Sequence, residues 1–297
     1  MRGGGVSPAA IVAAVEAKAE RIETPCGDGR LVWRRWGAGR PLVLLHGGHG
    51  SWKHWLRNIE RLAGRFTVLA VDMPGYGDSD KLPGEATAER FGEVLSAGLD
   101  SILPAGVPRT IVGFSFGGVI GGQVARLQGG KVERIVVVGS GGMGLCRPTL
   151  EPMASWRRLE DPAARTAAHR RNLAILMLHD PARIDDLAVH LQAENTSRVG
   201  AKSRFISASD TLRSCLEAIE APVAGIWGEH DATVGPFMAE RAAALRAIDP
   251  GAEFVVIPGA GHWVQYEAPE EFDAALLDIL AARRRRAEAG RPAAGTS

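Results

Sequence analysis

The pentapeptide Gly113-Phe114-Ser115-Phe116-Gly117 constrains this chain more than any other stretch. It follows the apolar run Thr110-Ile111-Val112 and precedes Gly118-Val119-Ile120-Gly121-Gly122. Gly-x-Ser-x-Gly between a strand-type and a helix-type segment is the sequence form of a nucleophile elbow. The serine sits on a tight, strained turn that lifts its hydroxyl clear of the sheet. A side chain on either flank would collide with the neighbouring strand or helix, and glycine tolerates the backbone angles needed there. Glycine and serine are common, so the pentapeptide gains weight only from a strand before it, a helix after it and suitable partners downstream.

Those partners follow in order. Gly228-Glu229-His230-Asp231 comes after the apolar run Pro222-Val223-Ala224-Gly225-Ile226-Trp227, and Gly259-Ala260-Gly261-His262-Trp263 after Glu253-Phe254-Val255-Val256-Ile257. Each places a polar residue just past a strand end, where distant segments of an open parallel sheet converge. Upstream, Pro41 to Leu45 reads as a strand running into His46-Gly47-Gly48-His49-Gly50, a loop able to aim a backbone N–H at a developing oxyanion. Phe66 to Val71 reads as another strand, ending in Asp72-Met73-Pro74-Gly75-Tyr76-Gly77.

With these segments in this order, the chain resembles the α/β-hydrolase family from about residue 20 to about residue 285. The order Ser, Asp, His is the one that scaffold uses. The ending Gly261-His262-Trp263-Val264-Gln265-Tyr266-Glu267 is most similar to the branch containing meta-cleavage product hydrolases and related esterases. The resemblance implies carbon–carbon cleavage of ring-fission dienoates or ester hydrolysis. Haloalkane dehalogenases and epoxide hydrolases share the fold but use aspartate at the elbow; serine points to esters, thioesters, lactones or vinylogous ketones. Against the carbon–carbon branch, Phe114 stands where asparagine is often found, and Gly48 where serine often follows His-Gly. Glu194 stands at the cap position that commonly carries an arginine for the dienoate carboxylate, with Arg198 and Arg204 close by. Unless neutralised, Glu194 would repel an anionic substrate.

Arg21 to Thr24 and Leu31 to Trp36 read as an opening hairpin around Gly27-Asp28-Gly29, and strands recur near 42–46, 66–71, 110–114, 134–139, 222–227 and 253–257, eight in all. Helical patterns between most of them predict an α/β fold: a mainly parallel sheet flanked by crossover helices. The gap between 134–139 and 222–227 is too long for one crossover. It holds Ala163 to Leu178 and Ile184 to Asn195, both with helix-type spacing; Leu173, Leu176 and Met177 share one face, Leu187 and Leu191 another. Residues 140–208 therefore read as a helical cap inserted into a core of 1–139 and 209–297. Met143, Met153, Trp156 and Met177 either line a pocket under the cap or form its own core. Ser7 and Pro8 predict the N-cap and first position of a short helix, a better account than a signal peptide with a single charge at Arg2. Arg283 to Arg286 reads as the solvated end of a last helix, and 287–297 as a disordered tail.

Composition adds exclusions. A chain of 297 residues can bury a large core, and a net charge of +1 gives no electrostatic case for nucleic acid or a membrane surface. No apolar run reaches the ~18 residues a membrane helix needs. Cys26, Cys146 and Cys215 are odd in number and scattered, which fits free thiols in a reducing, cytoplasmic compartment. A homo-oligomer is left open.

The expected chemistry requires neither metal nor organic cofactor. Ser115 attacks the carbonyl carbon of a small-molecule substrate, His262 takes and returns its proton, and Asp231 orients the imidazole. The oxyanion rests on the N–H of Phe116 and of Gly48, with His49 the alternative to Gly48. His49, Phe114, Trp156, Arg198 and Trp263 are candidate substrate-binding residues. Glu229 competes with Asp231, which could instead be only a helix cap before Ala232-Thr233. His46, His49, His54 and His230 compete with His262; His46 reads as structural. Asp72 reads as an acceptor for loop N–H groups. The glycines at 117, 118, 121 and 122 lack the Lys-Ser/Thr pair of a phosphate loop, so close helix–strand packing explains them better. No histidine pair has the HExxH spacing of a zinc site. A lyase or cofactor-free haloperoxidase on the same triad, or a ligand-binding protein without turnover, stays open.

Overall fold

A computed structural model describes residues 6–200 and 204–289. Arg2, part of the expected cap (201–203) and most of the expected tail (290–297) lie outside the described residues, as do the side chains of Arg204 and of Arg283 to Arg286. The strands are β1 (Glu20–Cys26), β2 (Gly29–Trp36), β3 (Arg40–Leu45), β4 (Phe66–Asp72), β5 (Arg109–Phe114), β6 (Val132–Val138), β7 (Val223–Gly228) and β8 (Glu253–Ile257). They form one eight-stranded sheet in the order β1-β2-β4-β3-β5-β6-β7-β8. Only the β1–β2 and β2–β4 pairings are antiparallel.

The helices are α1 (Pro8–Glu16), α2 (Ile59–Ala63), α3 (Ala88–Ile102), α4 (Phe116–Gln128), α5 (Pro162–Leu176), α6 (Asp186–Ser197), α7 (Arg204–Ala208), α8 (Thr211–Glu217), α9 (Met238–Ile248), α10 (Val264–Glu267) and α11 (Pro269–Ala289). Ser7 caps α1, its Oγ accepting the Ala10 N–H at 3.3 Å, with Pro8 at the first turn. Val12 and Val15 turn inward, and the Trp36 indole N–H donates to Val15 O at 2.9 Å, tying α1 to β2.

Central β5 is buried along its whole length, as a parallel strand covered on both faces must be. Residues of alternate parity feed two apolar clusters, one on each face: Leu42, Leu44 and Val112 on one side, Val43, Leu45 and Ile111 on the other. Helix α4 runs close to the sheet because it is glycine-rich there. A Cβ on Gly121 would lie 3.1 Å from Ile111 Cγ2, tighter than ordinary contact.

The segment between β6 and β7 carries α5 to α8. Helices α5 and α6 pack on each other, and Leu173, Met177, Leu178, Ala188 and Leu191 join the core cluster that holds Trp55 and Trp263. Helix α7 packs instead on α4, as α8 does, so the last stretch of 140–208 rests on the core helix layer. Among the described residues no helix is long and apolar enough to cross a membrane.

Candidate active site

Ser115 sits between β5 and α4 with φ 52° and ψ −115°, one of two non-glycine residues with positive φ among those described. Its N–H donates to Val138 O at 2.8 Å, which fixes the turn against β6. A Cβ on Gly113 would fall 2.4 Å from Gly117 O, and one on Gly117 2.3 Å from Leu45 O. Both glycines are thus required by close backbone approach, and the strained serine is left partly open to solvent.

His262 follows β8 and Asp231 follows β7. The two loops touch at Gly228, where a Cβ would lie 2.1 Å from Gly261 O. His262 Nδ1 lies 2.8 Å from Asp231 Oδ2, and Nε2 lies 3.0 Å from Ser115 Oγ. Asp231 and His262 are buried. With Nδ1–H given to the carboxylate, Nε2 is the basic nitrogen facing the serine hydroxyl. Thr233 was not singled out from the sequence, yet its N–H and Oγ–H both donate to Asp231 Oδ1, at 2.8 and 2.7 Å. The competitors lie elsewhere. Glu229 accepts the Gly259 N–H at 2.9 Å, and His230 stacks on His179 at 3.7 Å between ring centroids.

The loop after β3 curls beside the serine; a Cβ on Gly47 would meet Ser115 Cβ at 3.3 Å. Met73 N–H donates to His46 Nε2 at 2.9 Å, so the His46 proton sits on Nδ1 and is given to Gly47 O at 2.7 Å. Burial holds His46 below the ordinary histidine range, which keeps it neutral. Gly47 N–H donates to His54 Nδ1 at 3.2 Å and Gly50 N–H to Gly47 O at 3.2 Å. Among the described residues the N–H groups of Gly48 and Phe116 donate to no protein acceptor. His49 is exposed, with φ 58°. Asp72 accepts the Trp52 and Asp78 N–H groups at 2.9 and 3.1 Å and pairs with buried Arg34 at 2.9 Å, which fixes the loop after β4.

The other expected substrate contacts lie around these loops. Phe114 is fully buried, its ring 5.0 Å from that of His262 and 5.3 Å from that of His54. Trp263 is fully buried too, its indole N–H donating to His54 O at 2.9 Å. Both form an apolar wall beside His262 and His54, because their neighbours enclose them. Arg198 pairs with Asp78 at 2.5 Å, and Trp156 packs on His169 at 4.8 Å between ring centroids. Lys53 binds Glu194 at 2.5 Å. Burial would raise the Glu194 pKa, but Lys53, with His190 and Arg198 adding to it, holds the carboxyl below its ordinary range.

Glu267, buried, links the histidine loop to the insertion. Its carboxylate accepts N–H groups from Gly261 and Asp180 at 2.6 Å each and from His179 at 3.1 Å. Trp263 N–H donates to Met177 O at 2.7 Å. No cluster of three or more His, Cys, Asp or Glu suited to a metal occurs among the described residues.

A sequence profile of the alpha/beta hydrolase family matches residues 42–275. The chain is 30% identical over 266 residues to the dihydrolipoyllysine-residue acetyltransferase component of the acetoin cleaving system of Pseudomonas putida, covering 85% of this chain and 67% of that protein. It is 28% identical over 265 residues to a 2-hydroxy-6-oxononadienedioate/2-hydroxy-6-oxononatrienedioate hydrolase of Paraburkholderia phymatum, covering 82% and 88%. Among solved structures, a meta-cleavage product hydrolase from Pseudomonas fluorescens IP01 matches with a TM-score of 0.70 at 20% identity, over 90% of this chain and 99% of that one, a likeness of fold.

Proposed function

Because this chain belongs to the alpha/beta hydrolase family and is a hydrolase, we propose that Ser115, His262 and Asp231 are its catalytic triad, acting on a small carbonyl substrate through an acyl-enzyme. One observation carries the reading: the unbroken relay from Asp231 Oδ2 through His262 to Ser115 Oγ, at 2.8 and 3.0 Å. His262 Nε2 takes the serine proton as Oγ attacks the carbonyl carbon. Charge on the carbonyl oxygen is met by the N–H of Phe116 and of Gly48. The imidazolium then protonates the leaving group, and water attacks the acyl-enzyme with His262 again as base. The α5–α6 insertion roofs the site, a division supported by the His179 and Asp180 N–H groups donating to Glu267, by Trp263 N–H donating to Met177 O, and by Ser51 Oγ–H donating to Asn195 Oδ1 at 2.7 Å.

Between ester and carbon–carbon cleavage, an uncharged ester needs no cation, and three cations near the insertion are already paired. Lys53 is held by Glu194, Arg198 by Asp78 and Arg57 by Asp185, each at 2.5 Å. Arg157, which donates to Thr196 O at 2.5 Å and whose charge adds to desolvation in pushing the His49 pKa down, has no carboxylate partner among the described residues. A dienoate carboxylate would have to displace one of those three or pair with Arg157. The dienedioate hydrolase relative supports the second reading.

The test is kcat/KM for wild type and Ser115→Ala on a short-chain nitrophenyl ester and on a ring-fission dienoate. Strong preference for the ester with a dead variant supports esterase chemistry. Preference for the dienoate assigns the carbon–carbon reaction. Wild-type turnover that survives Ser115→Ala removes the serine from the mechanism.

A further inference from the structure

Buried His54 is not used by the triad, yet it is bonded to the loop beside Ser115 and to the segment after His262. It lies in the short turn Trp52–Trp55, capped by Ser51, whose Oγ accepts the Lys53 N–H at 3.3 Å. Nδ1 accepts the Gly47 N–H, so the proton of the neutral ring sits on Nε2. Gly50 closes over the ring so tightly that a Cβ there would lie 2.2 Å from Cε1. On the other side the His54 carbonyl holds the Trp263 indole, and the ring leans on Phe114 and Trp263 at 5.3 and 4.9 Å. Burial, with His46, His262 and His49 adding to it, pushes His54 well below the ordinary histidine range, which keeps Nδ1 free of a proton.

We infer that His54 is a positioning residue for the oxyanion loop: by taking the Gly47 N–H it helps aim the Gly48 N–H at the substrate oxygen. Two peptides flank Gly47, and both are held. The first gives its N–H to His54. The second has its carbonyl held by His46 Nδ1–H and by Gly50 N–H. In a trans peptide the C=O and N–H point opposite ways, so fixing Gly47 O fixes the direction of Gly48 N–H. Without the His54 acceptor, Gly47 N–H has no partner in an apolar wall, and glycine is free to rotate the loop until it finds one. Through this anchoring the ring acts on transition-state stabilisation, with little effect on ground-state binding.

The inference rests on the proposed triad chemistry, and the test separates the two. Asparagine places an amide oxygen where Nδ1 lies, glutamine places its amide nearer Nε2, and phenylalanine keeps the ring without an acceptor. For each variant, kcat and KM are measured on a nitrophenyl ester, together with the affinity of a boronic acid that mimics the tetrahedral oxyanion. His54→Phe should lose about 100-fold in kcat and in boronate affinity, the scale of one lost oxyanion donor, with KM nearly unchanged. His54→Asn should recover most of both; His54→Gln should not. Equal activity in the asparagine and glutamine variants, or a His54→Phe defect confined to KM, overturns the inference even if the phenylalanine variant folds poorly. Wild-type turnover that survives Ser115→Ala would instead overturn the triad reading and leave the loop geometry untouched.

Discussion

Thr233 clamps Asp231 twice, through its N–H at 2.8 Å and its Oγ–H at 2.7 Å, both to Oδ1, and leaves Oδ2 to His262. The carboxylate plane is thereby set by donors on its own loop. Thr233→Val keeps the branched shape and the N–H but removes the hydroxyl donor. Freed on one side, Asp231 can rotate, and His262 loses its alignment. We expect kcat on a nitrophenyl ester to fall about tenfold with KM little changed, the scale of one hydrogen bond to a charged group. Asp231→Asn should cost far more, on the order of 10⁴-fold, because the amide favours the wrong imidazole tautomer. Equal losses in the two variants would place the effect in folding, which a thermal melt would reveal.

Buried Arg34 is the hub of a charge cluster under the loop after β4, with buried Asp72 and the more exposed Asp78 and Glu16 around it. It pairs with Asp72 at 2.9 Å and with Asp78 and Glu16 at 2.5 Å each, and its side chain is 2% exposed. Asp72, 1% exposed, in turn holds the Trp52 and Asp78 N–H groups. Arg34→Met removes the cation and leaves Asp72 charged and unpaired inside the protein. Loss of one partner of a buried pair should destabilise the fold by about 3 kcal/mol in urea unfolding. Arg34→Lys should recover part of this, since one ammonium cannot reach three carboxylates as a guanidinium fork does. Full stability in Arg34→Met would mean that Asp72 is satisfied by its N–H donors alone.

The sequence carried the frame because parallel strands buried on both faces read as apolar runs, and the turns between them as glycine-bearing punctuation. The elbow at Ser115, the Ser7–Pro8 helix start and the eight strands were legible for that reason. Asp72 as an acceptor and the crowding role of Gly121 were also legible, since each follows from position at a strand end or on a glycine-rich helix face. His54, Thr233 and Glu267 were harder. Each works by giving or taking a hydrogen bond across a distance the sequence does not encode. Thr233 left a faint signal, a hydroxyl two residues after an acid at a turn, and Glu267 another, an acid buried beside apolar Val264 and Tyr266. Arg198 and Trp156 are candidate substrate contacts by their place in the insertion. The structure adds partners the sequence does not show, Asp78 for Arg198 and the His169 ring for Trp156.

Glu267 gathers three N–H groups from two segments far apart in sequence, Gly261 on one side and His179 and Asp180 on the other. Glu267→Gln keeps the size but turns an NH₂ group toward at least one of those donors. Loss of charge-assisted acceptance at a site 3% exposed should cost about 2 kcal/mol in urea unfolding. Because Gly261 precedes His262, kcat should fall as well, and restoring the carboxylate with Glu267→Asp should recover less than half of it, since the shorter arm cannot span both segments. An unchanged urea midpoint in Glu267→Gln would show that the carboxylate charge contributes nothing to the link.

Asp273 on α11 is buried, and burial lifts its pKa to about 6, against the Asn58 hydrogen bond at 3.0 Å and Arg61 at 4.0 Å, which both pull it down. The folded value lies above the unfolded one of 3.8, so the protonated carboxyl is the form the fold prefers. Its contribution is fully present below pH 3.8 and is lost as the pH rises through about 6. Asp273→Asn stays neutral throughout. Its amide N–H also supplies a donor for Asn58 Oδ1, which is buried and has no partner among the described residues. The variant should therefore be more stable than wild type at pH 8, by up to about 3 kcal/mol, and the gap should shrink toward pH 4. Urea unfolding of both proteins at pH 4, 6 and 8 reads this directly. A gap that is constant with pH would mean that Asp273 ionises in the fold as it does in the unfolded chain.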